Sequence, residues 1–121
     1  MIQGFETQTQ PLNDYERDTL LPVIVRGLRT KIGAAKVITG STIIRAMKGA
    51  GYKLDGPRLR KIINHIRAHG YVPCLVSTSN GYYVATSVKE VDDCIASLQG
   101  RVSAIQANIE ALQIQRSVLF H

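Results

Sequence analysis

The side chains with the most scope for chemistry lie in GPRLRKIINHIRAHG, residues 56–70. Leu59, Ile62, Ile63 and Ile66 fall at i, i+3, i+4 and i+7, the spacing of a helical stripe that faces a core. Arg60, Lys61, Asn64 and Ala68 lie on the other side. Arg, Lys and Asn are hydrogen-bond donors and no acid stands among them. Such a face is either merely solvated or made to lie against an anion.

Catalytic and metal chemistry find little to work with. His65 and His69 stand at i, i+4 on the same helix, a spacing that can hold zinc, with Cys74 and Cys94 further along. Yet no CxxC pair accompanies them, and the two cysteines are separated by nineteen residues. They read as reduced core thiols, and no metal is expected. GSTIIR, residues 40–45, lacks the Gly-Lys-Ser/Thr ending of a phosphate loop, and no Ser-His-Asp order stands out. The sequence therefore predicts a protein that is not an enzyme and has no cofactor and no evident small-molecule substrate.

Charge is distributed unevenly. Residues 26–70 hold eleven Lys/Arg against one acid, Asp55, whereas the rest of the chain holds four bases and eight acids. The first segment is thus +10 and the remainder −4, within a net charge of +6. Excluding acids from one segment points to a polyanionic partner, nucleic acid first.

The elements that must position this segment follow from caps and periods. Asn13 with Glu16 forms a capping box that opens a helix to about Ile32, with Leu20, Leu21, Ile24, Val25 and Leu28 as its stripe. Pro22 should bend it. KVI, residues 36–38, allows one short edge strand. Thr39 or Ser41 caps a second helix that buries Ile43, Ile44 and Met47 and closes at Gly49–Gly51. Asp55 caps the third, with Pro57 in its first turn and Gly70 at its end. YVPCLVS and YYVAT then read as strands of a hairpin, with Asn80-Gly81 as a type I′ turn. One of Tyr82 and Tyr83 should face the core. Ser87 and Glu90 make a second capping box, opening a helix to about Leu119.

This order, with RLRKIINHIRAHGYVPCLVSTSNGYYVAT at its centre, resembles the winged helix-turn-helix family of DNA-binding domains, and most of all the small winged-helix proteins of phages and bacteria. The resemblance covers roughly residues 13–115. It implies an α+β fold, mainly helical with a small hairpin, that binds duplex DNA as a transcriptional regulator or as a replication accessory of a phage or mobile element. The third helix would enter the major groove. Carried onto this sequence, Arg60, Lys61 and Asn64 would meet base edges, with Arg58, His65 and Arg67 at the edges of that face. Lys48 and Lys53 would hold phosphates, and Ser79 and Asn80 at the hairpin tip could add weak contacts. The tip carries no Lys or Arg, which sets it apart from many members of the family. The alternative is a winged-helix module that binds an acidic protein.

The last helix carries its own signal. Val91, Ile95, Leu98, Val102, Ile105, Ile109 and Leu112 are spaced 4, 3, 4, 3, 4, 3, an unbroken heptad that keeps phase across Gly100. A homodimer through Ile95, Leu98, Val102, Ile105, Ile109 and Leu112 is expected, in competition with packing on the first helix of the same chain. A length of 121 residues and an apolar fraction of 45% suit one domain with an appended helix. The expected division is a frayed segment 1–12, a winged-helix domain 13–87 and a dimerisation helix 88–121. No apolar run reaches membrane-spanning length, and MIQGFETQTQ has no basic start or apolar core. No membrane and a cytoplasmic location are expected.

Overall fold

The computed structural model describes residues 10–120, so the expectation for residues 1–9 lies outside the described residues. The chain divides into two compact units with a boundary between Ser87 and Val88. The first is mainly helical with one two-stranded antiparallel sheet. The second is a single helix.

The capping box forms as expected. The Asn13 amide donates to Glu16 Oε1 and the Glu16 amide to Asn13 Oδ1, each at 2.9 Å. Leu12, expected to fray with its neighbours, packs partly against the core. The helix then takes a π-helical turn over Glu16–Leu20 and continues as α1, Leu21–Leu28. The Leu21 amide reaches Glu16 O, five residues back. Pro22 supplies the reason. It has no amide to donate and its ring crowds the carbonyl four residues earlier, so the turn before it widens. The helix also stops short of Ile32. Beyond Leu28 the chain turns so that Lys31 O accepts from the Val84 amide and the Gly33 amide donates to Val84 O.

The edge strand expected at residues 36–38 shrinks to one bridge. A 3-10 turn, Ala34–Lys36, interrupts the extended run, and only Ile38 pairs, exchanging two backbone hydrogen bonds with Tyr82. α2 spans Gly40–Gly49 and is capped by Thr39, whose Oγ1 accepts from the Thr42 amide. It buries Ile43 and Met47 and leaves Ile44 half-buried. α3 spans Gly56–His69 between the Asp55 cap and Gly70, which takes the left-handed conformation (φ 67°) that ends a helix without a Cβ penalty. Its stripe of Leu59, Ile62, Ile63 and Ile66 joins Leu20, Ile24 and Leu28 in one core.

The hairpin is shifted from its expected register. β1 is Leu75–Thr78 and β2 is Gly81–Val84, with Thr78 opposite Gly81. The two loop residues are therefore Ser79 and Asn80. Among the described residues Cys74 is the one non-glycine at positive φ (58°), so Asn80 does not take the type I′ conformation. The left-handed Cys74 also delays the first strand, expected from Tyr71, until Leu75. Tyr83 is the buried tyrosine, opposite Val76 on one face of the sheet. Tyr82 is half-buried on the other face, beside the core.

The second unit is α4, Val88–Leu119, a helix of 32 residues with none buried. No helix among the described residues is long and apolar enough to cross a membrane.

Candidate nucleic-acid interface

α3 supplies an outward face because its inward stripe is locked in the core. Leu59, Ile62, Ile63 and Ile66 are at most 2% exposed, which sets the rotation of the helix. Arg60, Asn64 and Ala68 are then exposed on the far side, as the sequence implies. The Arg60 guanidinium folds back beside Gly56, where even a Cβ would come within 3.2 Å of it. Lys48 and Lys53, both exposed, line a cleft of about 420 Å³ between the end of α2 and the start of α3. Ser79 and Asn80 are exposed at the hairpin tip, where the Asn80 amide is already engaged by Thr78 Oγ1 at 3.1 Å.

Lys61 is not on this face. It is buried, and its Nζ lies 2.7 Å from Glu16 Oε1. Arg58 shares the same carboxylate, with Nε 3.0 Å from Oε2, and rests on the Tyr15 ring at 5.5 Å. The flank of α3 that carries Arg58 and Lys61 is thus covered by the π-helical turn, which the wheel of α3 alone cannot reveal. Glu16 itself was the available signal. It continues the Leu20, Ile24, Leu28 row backwards by one turn, so an acid occupies a stripe position. Burial pushes the Glu16 carboxyl upward. The Lys61 hydrogen bond, the Asn13 amide, the Lys61 charge and the Arg58 hydrogen bond outweigh it and hold the group below its ordinary value of 4.5.

Two further edge residues serve the fold. Arg67 donates from Nε to Leu75 O at 2.9 Å and from Nη2 to Ser77 Oγ at 3.0 Å, tying α3 to β1. His65 stacks on His69 with ring centroids 4.0 Å apart, and Tyr71 extends the stack. Burial, then the neighbouring His69, lowers the affinity of His65 for a proton. His69 Nδ1 lies 2.9 Å from the His65 carbonyl, and no group of three potential metal ligands occurs among the described residues. Cys74 and Cys94 are free thiols, but neither is the core residue expected: Cys74 is exposed and Cys94 half-buried.

Arg29 donates from Nε and Nη2 to Tyr71 O at 3.1 and 3.0 Å, and Lys31 is half-buried, so the exposed cations that remain are Arg26, Lys36, Arg45, Lys48, Lys53 and Arg60. Each is exposed, and its charged side chain has no hydrogen-bond or ion-pair partner among the described residues. Asp55, the one acid of this stretch, is used up as the α3 cap through Arg58 N at 2.9 Å. Of these, Arg26, Lys36 and Arg45 lie outside α3, and the sequence marks them by charge alone. Arg45 and Lys48, three residues apart, share a face of α2. Chemically, the set can pair with phosphates through its cations and meet base edges through Arg60 and Asn64. No family model, curated protein or solved structure matches this chain.

Proposed function

We propose that the first unit is a winged helix-turn-helix that binds duplex DNA, with α2 and α3 as the helix-turn-helix and the hairpin as the wing. The observation that supports it is the set of six exposed cations without partners in a stretch whose one acid is spent as a cap. On this reading Lys48, Lys53 and Arg45 hold phosphates, while Arg60 and Asn64 present donors to base edges. Lys61, Arg58 and Arg67 are occupied within the fold and drop out of the contacting set. α4 pairs two copies through its heptad seam, and the protein acts as a homodimeric regulator or replication accessory. Its sphere would be the cytoplasm.

The deciding measurement is a salt titration on random duplex DNA. About six phosphate contacts imply a fall in affinity of roughly 10³ between 50 and 200 mM salt. Lys48→Ala should reduce the slope by about one without changing base preference, whereas Asn64→Ala should relax preference at one position by about 1–3 kcal/mol. Absence of binding even at low salt overturns the DNA reading and transfers the basic face to an acidic protein partner.

A further inference from the structure

The charges and apolar side chains of α4 bear on which way two copies would run. From Cys94 to Phe120 the chain carries only Arg101, Glu110 and Arg116 as charges, and its large apolar side chains stand in solvent. Ile95, Leu98, Val102, Ile105, Ile109 and Leu112 are 39–66% exposed. A long helix of this kind needs a partner.

With Ile95, Val102 and Ile109 at a, the next a position is Arg116 and the next d is Leu119. A parallel, in-register pair stacks a on a, so it sets Arg116 against Arg116 inside the seam. It also brings Asp92 of both copies to the same end, whereas Asp93 is paired with Lys89 of its own helix at 2.7 Å. Both arrangements oppose like charges. An antiparallel pair stacks a on d instead. The register centred between Ser103 and Ala104 sets Ile95 against Leu112 of the second copy, Leu98 against Ile109 and Val102 against Ile105. All six seam residues are then matched. That centre is also the midpoint of Val88–Leu119, so the two helices overlap from end to end. Arg116 falls beside Val91 and Asp92 of the second copy, where a cation meets an acid.

We infer that α4 pairs with α4 of a second copy in antiparallel orientation, in this register. The inference rests on the reading that α4 is the dimerisation element and specifies its geometry. The two first units are then joined to the pair at opposite ends, with the Val88 positions about 47 Å apart along the axis at 1.5 Å per residue.

A spin label at Lys89→Cys, in a chain carrying Cys74→Ser and Cys94→Ser, separates the possibilities by pulsed dipolar distance measurement. Lys89 lies level with Val118 of the second copy, which predicts an axial separation of about 44 Å. A distance near 20 Å would mean parallel helices and overturn the orientation while leaving the pairing intact. No dipolar signal at micromolar protein would overturn the pairing itself. Copies carrying Leu98→Cys and Ile109→Cys should form a mixed disulfide when combined, and Leu98→Cys alone should not; a ready Leu98→Cys homodisulfide overturns the antiparallel register.

Discussion

Glu16 is the residue on which the basic helix turns. Its side chain is 2% exposed and accepts from Lys61, Arg58 and the Asn13 amide at once, so both carboxylate oxygens are engaged within the protein. Breaking a buried pair costs more than the pair contributes, because a charge remains without its partner. Glu16→Ala should therefore cost about 3–5 kcal/mol in denaturant unfolding. Lys61→Met should cost far less, since Arg58 still neutralises the acid, and should leave DNA base preference unchanged. Relaxed preference with stability intact would return Lys61 to the recognition face. The pH dependence follows from the sign of the shift. A carboxyl held below its ordinary 4.5 when folded contributes stability above that value and loses it as pH falls through the folded value. Wild type should thus weaken in acid below about pH 4.5, and Glu16→Gln should flatten that slope. At this scale the sequence was legible for Arg60 and Asn64, whose exposure follows from the stripe opposite. It was not legible for Lys61, because what covers it arrives from forty-five residues away.

Among the elements, the helices and the existence of the hairpin were readable, and the register of the hairpin was not. Caps are local devices, and Asn13, Thr39, Asp55 and Gly70 each act within a few residues of themselves. Hairpin register is decided by what lies beside it. β2 is bonded to β1 on one edge and to Lys31, Gly33 and Ile38 on the other, so the turn is placed by a segment about fifty residues upstream. Gly81 shows the constraint most sharply. It sits at φ 125°, and a Cβ there would run into the Ile38 carbonyl. The glycine read as a turn former is instead the point where two backbones meet. Gly81→Ala should separate Ile38 from Tyr82 and destabilise the first unit by about 2 kcal/mol or more, seen as early amide exchange at Ile38 and Tyr82. Unchanged protection of those two amides would show that the contact is dispensable.

For the molecule as a whole, the heptad of α4 was the clearest long-range pattern in the sequence, and the helix runs over the span it implies. What periodicity could not give is the partner, because a seam looks the same whether it is covered at home or by another copy. Ile105→Asp is the test. The aspartate lies next to the centre of the seam, so in either orientation it forces charge into an apolar layer. The variant should be monomeric by light scattering with the first unit still folded, and a variant that remains dimeric would place the interface elsewhere. The exposed seam also makes abundance a variable. On the proposed reading, a helix stabilised by pairing ties folding, pairing and DNA occupancy to one mass-action equilibrium, and each then shifts with protein concentration. Occupancy of a two-site target should rise more steeply than first order as the protein accumulates. A cell could then switch such a protein by how much of it is made, with no ligand and no modification.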